Sequence, residues 1–357
     1  MSERLKVLLL ADVGSFHIER YAAELRRQGC QVLIASLESG RVTYHQLKKR
    51  GPFGALHYIL AASEVNAVIK RFQPDLINPH YVSGYGFTAA LAGARRYAPV
   101  ITHIWGSDVL VVPWKSVFHR RKTAYAIGDA NILIGDSDHL IAQADRVLPA
   151  KRSMVVLWGI ERKFLAFHKA DYRRGKPLRI IVPRQHARVY NNPFILRALA
   201  PMVREGEIEL TFPTFGPEAG LFRLTAHQML GDAIKFYDRL ERAELMKLLA
   251  QQDVYLSAAS TDSSPASLLE AMGIGLIPVA PEIPGVKEWL GVQHGFVYDL
   301  YDEAMLRERI REIIASPHDF EEMRQLNLAR ITEQAIFEDN VAQIVRVMKN
   351  LAKKSPA

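Results

Sequence analysis

Cysteine occurs once in these 357 residues, at Cys30. One thiol excludes an intrachain disulfide and any zinc site built from several thiolates, and it suits a reducing cytoplasm. Cys30 itself reads as a small apolar filler at the head of a strand. Long apolar runs are missing as well. The first, Val7 to Ala11, meets Asp12 at once, too soon for a secretory leader. No stretch approaches the roughly 20 apolar residues of a membrane-spanning helix. The expectation is a cytoplasmic protein, free in solution or resting peripherally on the inner face of a membrane. There is no internal repeat and no low-complexity tract. Acids and histidines nowhere fall at ligand-like spacing, so no metal is expected.

What is present suits two domains: the length is about double an ordinary one, and 49% apolar with 24% charged residues is enough for a core in each. The charge is uneven. Residues 1–170 hold 23 Lys and Arg against 13 Asp and Glu, and the remainder holds 23 against 25. A basic half answers to anionic lipid, a lipid diphosphate or nucleic acid, or is simply a solvated basic surface. No RNA- or DNA-reading motif accompanies the charge, so nucleic acid is not expected. The run Trp114-Lys115-Ser116-Val117-Phe118-His119-Arg120-Arg121-Lys122 mixes aromatics with cations. With Lys48-Lys49-Arg50 and Arg95-Arg96 it reads either as an electropositive face for an anionic membrane or as a solvated helix.

Short aliphatic runs alternate with longer amphipathic stretches, the mark of βαβ units and parallel sheets. In the first half strands are expected at 6–10, 31–35, 75–78, 100–104, 131–134 and 154–156, with helices near 17–28, 54–72, 84–97, 115–127 and 137–146. Gly29 stands where a glycine ends the first helix. In the second half strands are expected near 178–182, 207–212, 234–236, 254–256, 277–280 and 296–298. Helices should intervene near 192–204, 219–229, 241–251, 266–273 and 302–315. On the third of these, Leu245, Leu248 and Leu249 share a face, leaving Glu241, Arg242 and Lys247 for solvent. The expected division is an α/β domain over 1–166, a basic linker over 167–176 ending in Arg173-Arg174-Gly175-Lys176, and a second α/β domain over 177–335. A last helix within 336–357 is expected to return to the first domain. Ligands of doubly wound sheets bind at the carboxyl ends of the strands.

The most informative segment runs from Ser257 to Gly275, Ser-Ala-Ala-Ser-Thr-Asp-Ser-Ser-Pro-Ala-Ser-Leu-Leu-Glu-Ala-Met-Gly-Ile-Gly. It reads as a strand end, a loop of small residues, and a helix opening near Pro265. N–H groups over 265–268 (Pro265, Ala266, Ser267, Leu268) and the positive end of the helix dipole make an anion site suited to a diphosphate. Asp262 precedes that helix and Glu270 lies on it, eight positions later. Two carboxylates thus flank one phosphate-binding helix start.

This segment resembles the acidic-x7-acidic motif of family 4 retaining glycosyltransferases, whose GT-B fold has two Rossmann-like domains facing a central cleft. It reads Asp262-Ser-Ser-Pro-Ala-Ser-Leu-Leu-Glu270, followed by Ala271-Met272-Gly273 and Gly275, with Asp262 where the family usually has Glu. The resemblance implies that Glu270 binds the nucleotide ribose and that Asp262 contacts the transferred sugar. It extends over most of the chain. Gly14, in Asp12-Val13-Gly14-Ser15, matches a glycine loop over the donor phosphates. His80, in Asn78-Pro79-His80-Tyr81, matches a histidine loop near the acceptor. His103-Ile104-Trp105-Gly106-Ser107-Asp108 resembles the family's His-Gly-x-Asp loop with Trp105 in place of the histidine. His103 is then the candidate for touching the sugar, or else a strand-end core residue, and Asp108 either receives an acceptor hydroxyl or caps nearby N–H groups. Leu157-Trp158-Gly159-Ile160-Glu161 resembles the family's Asn-Gly-Val-Asp element, with Trp158 and Glu161 substituted.

On the donor side Ile180-Ile181-Val182-Pro183-Arg184 resembles the strand and arginine that grip the diphosphate. The Lys-Gly pair that normally follows is absent; Tyr190-Asn191 stand near its place, and Arg188 or His186 could supply the second positive charge. Backbone groups near Arg239 and Leu240 would meet the base, and Gly285 would permit close approach of backbone to the donor. The resemblance implies a metal-independent, retaining glycosyltransferase without a cofactor. It would move a sugar from a nucleotide-sugar donor to a glycan or lipid-linked acceptor in polysaccharide or glycoconjugate synthesis. The alternatives are a non-catalytic binding subunit of the same fold and a nucleotide-sugar epimerase.

Overall fold

A computed structural model describes residues 4–49, 54–169, 176–316 and 320–353. Arg50 of the basic run, and Arg173, Arg174 and Gly175 of the expected linker, lie outside the described residues. The chain divides into two compact units, one formed by Met1–Leu157 with Glu338–Ala357 and the other by Trp158–Phe337.

In the first unit β1 (Lys6–Leu10), β2 (Gln31–Ser36), β3 (His45–Gln46) and β4 (Leu76–Pro79) form a parallel sheet ordered β3-β2-β1-β4. A second sheet holds β5 (Ile101–His103), β6 (Ile132–Gly135) and β7 (Ser153–Val155) in that order. Parallel bridges between Ile77 and Val100 and between His80 and His103 join β4 to β5. Val7, Leu8, Leu9 and Leu10 are fully buried, because a central parallel strand is covered on both faces and therefore reads as an unbroken apolar run. Strand order reverses between β1 and β4, which leaves a crevice at their carboxyl ends.

Helix Phe16–Arg27 ends before Gly29, whose φ of +87° is the left-handed conformation glycine adopts cheaply. Two expected helices come out differently. The stretch 54–72 is two helices, Gly54–Leu60 and Ala62–Phe72. The stretch near 84–97 becomes a π-helix at Tyr81–Gly86, a short α-helix at Phe87–Leu91 and a 3₁₀ turn at Ala94–Arg96. Gly84 and Gly86 leave room for Tyr58 and Thr102 to pack against this turn, and Gly93, at φ +67°, ends the α-helix. The last helix, Phe337–Ala352, buries Val341, Ile344, Val345 and Met348 at helical spacing. Gln28 donates to the Glu338 carbonyl at 3.1 Å and Asn340 to the Leu157 carbonyl at 3.1 Å.

The second unit is one parallel sheet of β8 (Leu178–Ile181), β9 (Ile208–Pro213), β10 (Ile234–Tyr237), β11 (Val254–Leu256), β12 (Ile277–Pro281) and β13 (Phe296–Tyr298). Its order is β10-β9-β8-β11-β12-β13, so the reversal falls between β8 and β11. Ile180, Leu210, Phe212, Val254, Leu256, Ile277 and Val279 pack against Phe194, Ile195 and Leu199 of helix Asn192–Arg204. Each such side chain contributes about 1.5–3 kcal/mol by leaving water. Helix Arg242–Ala250 buries Met246 and Leu249. Its first residue, Arg242, does not face solvent as expected: it turns onto Glu270 of the neighbouring helix.

Candidate functional site

The loops after β8 and β11 meet at the switch point of the second unit. After β11 the chain runs through small residues to helix Ala266–Ile274, opened by Pro265 at φ −65° and closed by Gly275 at φ +90°. Pro265 has no N–H, and the N–H groups of Leu268 and Leu269 both donate to the Pro265 carbonyl. The donors left at this helix start are therefore Ala266 and Ser267, a smaller set than 265–268. Two adjacent N–H groups at a helix N-terminus are enough to receive an anion.

Arg184, three residues beyond β8, places a guanidinium beside this helix start. Its Nη1 donates to Ser267 Oγ at 3.1 Å and its Nη2 to Asp262 Oδ2 at 2.6 Å. Its guanidinium lies 4.3 Å from the Tyr190 ring centroid, a cation–π contact that fixes its plane. Burial opposes its charge, but the Asp262 carboxylate and the neighbouring Tyr190 and Tyr255 together offset that and hold its pKa above the ordinary value. Tyr255 Oη lies 3.0 Å from Ser267 Oγ, so one hydroxyl ties the helix start to β11. Asn192 holds the Arg184 carbonyl at 3.0 Å.

The positions around the absent Lys-Gly pair serve geometry. Tyr190 stacks on Arg184, and Asn191, at φ +48°, donates to the Ala258 carbonyl at 2.9 Å. His186 is not the second cation. Its Nε2 lies 2.7 Å from the Pro213 carbonyl, its Nδ1 3.0 Å from Asn192 Nδ2, and its ring stacks on Phe222 at 4.0 Å. Burial lowers its pKa, so it is neutral. Arg188 is exposed.

Glu270 is buried and grips Arg242 at 2.5 and 3.3 Å. The Arg242 guanidinium also lies 5.6 Å from the Phe164 ring. Gly285 backs onto the chain of its own unit. A Cβ there would meet the Ser263 carbonyl oxygen at 1.8 Å, so its close approach is to the loop carrying Asp262. Trp289 Nε1 donates to Ser264 Oγ at 3.0 Å and clamps the same loop. Arg239 is exposed over the Phe215 ring at 4.9 Å, and Leu240 is 37% exposed. Arg242, Tyr255 and Trp289 escape a reading of the sequence, because each acts across distant parts of the chain with no periodic signal.

In the first unit a cavity of about 370 Å³ opens at the carboxyl ends of β1 and β4, lined by Asp12, Ser15, Tyr58, His80, Tyr81 and Trp105 among others. Asp12 Oδ1 accepts the Gly14 N–H at 2.9 Å, fixing the glycine turn. His80 and His103 stack with centroids 4.3 Å apart and planes 8° from parallel, both against Tyr21. Burial pushes the His103 pKa down to about 3, and burial with the neighbouring ring pushes His80 well below its ordinary value. Both are neutral. His80 lines the cavity with Trp105, and His103 lies in the core at 3% exposure. Tyr81, the first residue of the π-helix, has φ +73°, a strained conformation for a bulky residue. Its hydroxyl lies 2.7 Å from Ser107 Oγ.

Asp108 is fully buried and acts as a cap. Oδ1 accepts the N–H groups of Trp105 and Gly106 at 2.9 and 3.0 Å, and Oδ2 that of Val82 at 2.8 Å. Burial raises its pKa to about 6, against the pull of these N–H groups. It binds the loop after β5 to the π-helix. Among the described residues no group of three or more His, Cys, Asp or Glu side chains could hold a metal ion, and no helix is long and apolar enough to cross a membrane.

Comparison with known proteins follows the same division. Residues 6–137 match the model of the glycosyl transferase 4-like family, and residues 174–329 that of the glycosyl transferases group 1. No curated protein matches the chain. Among solved structures it is similar to sucrose-phosphate synthase from Thermosynechococcus elongatus, with 14% identity, TM-score 0.80, and coverage of 99% of this chain and 100% of that one. HepE of Anabaena in complex with UDP has 15% identity and TM-score 0.79, covering 97% and 100%. The lipopolysaccharide outer core galactosyltransferase WaaB, in its apo form, has 13% identity and TM-score 0.71, covering 96% and 99%. At these identities the likeness carries the fold.

Proposed function

Because the chain belongs to the group 1 glycosyltransferases of GT-B fold, we propose that it moves a sugar from a nucleotide-sugar donor to a glycan or lipid-linked acceptor in glycoconjugate or polysaccharide synthesis. The observation that carries this reading is the cluster of Arg184, Ser267 and the free helix-start N–H groups at the switch point, with Glu270 on the same helix. The UDP complex of the similarly folded HepE supports a nucleotide as its ligand.

In this reading the donor diphosphate takes the Arg184 guanidinium and the N–H groups of Ala266 and Ser267, while Glu270 receives the ribose hydroxyls. The diphosphate competes with Asp262 for Arg184, and the displaced carboxylate turns to hydroxyls of the transferred sugar. As the glycosidic bond breaks, Arg184 and the helix start stabilise the charge on the departing diphosphate. In this reading Asp262 holds sugar hydroxyls and does not attack the anomeric carbon. The acceptor hydroxyl attacks from the face the diphosphate leaves, with retention and without a metal, and a trapped glycosyl–Asp262 ester would overturn this step. The acceptor lies in the first unit's cavity, with Asp12 as hydrogen-bond acceptor and His80 and Trp105 as walls. The protein works in the cytoplasm, in peripheral contact with an anionic membrane.

A second reading, a non-catalytic subunit, is favoured by one observation: Asp262 neutralises the single cation of the anion site. Thermal shift with UDP-, GDP-, dTDP- and ADP-sugars separates the two. A shift with one donor that Glu270→Ala abolishes, followed by transfer to a glycan acceptor, is the expected result. No shift with any donor selects the second reading, and conversion of the donor without an acceptor would make the protein an epimerase.

A further inference from the structure

The segment that caps the first unit after Asp108 has a surface the transfer chemistry does not use. From Val109 to Gly128 the sequence contains no Asp or Glu. A 3₁₀ turn, Val112–Lys115, leads through Ser116 into helix Val117–Asp129, and Ser116 caps it by accepting the His119 N–H. At this corner Val117 is 68% exposed, Phe118 56%, Val111 45% and Trp114 44%, with Tyr125 at 53% further along the helix. Single exposed apolar residues are ordinary, whereas a run of them on adjoining turns marks a contact surface. Val117, Arg121 and Tyr125 follow at i, i+4 spacing and so share one face.

The corner is built rather than loose. Trp114 Nε1 donates to the Val109 carbonyl at 3.1 Å, and the guanidinium groups of Arg120 and Arg146 lie 5.3 and 5.9 Å from its ring. Lys115, Arg120, Arg121 and Arg146 are all exposed around it. The other cations of the basic half lie elsewhere. Lys122 points inward over Phe87, Lys49 pairs with Glu38, and Arg95 and Arg96 lie near Asp129 at the opposite end of the helix.

We propose that this corner docks on an anionic lipid bilayer, with Val117 and Phe118 entering the headgroup boundary and Lys115, Arg120 and Arg121 meeting lipid phosphates. This assigns a face to the peripheral contact proposed above and rests on that reading. Aromatic and aliphatic tips ringed by cations fit the charge and polarity step of a bilayer surface. An acidic protein would offer the charge without the apolar boundary.

The test is co-sedimentation of the full chain with vesicles of phosphatidylcholine alone or with about 30% phosphatidylglycerol, at about 0.05 and 0.5 M salt. Pelleting only with the anionic vesicles, weakened about tenfold or more by salt, is expected. Val117→Ser with Phe118→Ser should weaken it by about tenfold, and Lys115→Gln with Arg120→Gln and Arg121→Gln should abolish it, all with unchanged melting temperature. A chain that stays in the supernatant with anionic vesicles overturns the proposal, even if it binds an acidic polypeptide such as polyglutamate. So does equal pelleting of wild type and both variants. Nucleotide-sugar thermal shift on the same samples is independent of these substitutions, so loss of vesicle binding and failure of the donor reading register separately.

Discussion

Arg184 and Arg242 each meet a carboxylate that the sequence marks as donor-binding, and this pairing governs what substitutions will do. Asp262 offsets the charge of Arg184, the cation to which the proposed diphosphate would bind. Asp262→Asn should therefore tighten UDP binding severalfold by titration calorimetry, while lowering any transfer rate at least tenfold if Asp262 holds the sugar. Tighter binding with an unchanged rate would remove Asp262 from the chemistry. Arg242→Ala leaves Glu270 buried without its cation. Breaking a fully buried pair costs about 3–5 kcal/mol, so with Arg242 22% exposed a loss of about 2 kcal/mol is expected in denaturant unfolding. The double variant Arg242→Met, Glu270→Leu should recover most of it. The acidic pair is legible in sequence because its spacing straddles one helix start. Arg242 is not, since its partner lies 28 residues away and only β-sheet topology brings the two helices together.

At the scale of elements, two loops are held by single residues. A Cβ on Gly285 would collide with the Ser263 carbonyl, so Gly285→Ala should push the loop 262–264 aside. The expected signature is nucleotide affinity reduced by about tenfold with a smaller change in melting temperature. Asp108 holds three N–H groups; Asp108→Asn turns an amide donor toward one of them and should cost about 1–3 kcal/mol. A variant as stable as wild type would show that the cap is dispensable. Elements are legible where burial imposes a period. Strands such as β1, β11 and β13 stand where the aliphatic runs lie. The π-helix at 81–86 is not legible, because Gly84 packs against Tyr58, a contact from a distant part of the chain, and the local Tyr-Val-Ser-Gly-Tyr-Gly sequence carries no periodic signal of its own.

For the whole molecule the alternation of aliphatic and amphipathic stretches was enough to reveal parallel α/β architecture, because strands covered on both faces cannot hide their composition. Titration of the first unit is a property at this scale, since His80, His103 and Asp108 sit in one core. A histidine held neutral adds stability above pH 6.5 that is lost as pH falls toward its folded value, about 3 for His103. Asp108, raised from 3.8 to about 6, acts oppositely: its contribution is full below 3.8 and is lost as pH rises through 6. Two histidines lowered by burial act against one carboxyl raised by it. The melting temperature should therefore be lower near about pH 5 than near about pH 7.5, and His103→Gln should shrink the difference. An acid-stabilised first unit would mean that Asp108 dominates.

The first unit is completed by residues that follow the entire second unit, since Glu338–Ala357 belongs with Met1–Leu157. This gives the protein an order of birth. On the ribosome the second unit emerges as one continuous stretch and can settle as it appears. The first must wait with the seat for Val341, Ile344, Val345 and Met348 open, for on the order of ten seconds or more at ordinary synthesis rates. During that interval its uncovered apolar surface is a natural substrate for chaperones. A premature stop near the end of the message would strand the oldest half of the chain, not the youngest, in an unfinished state.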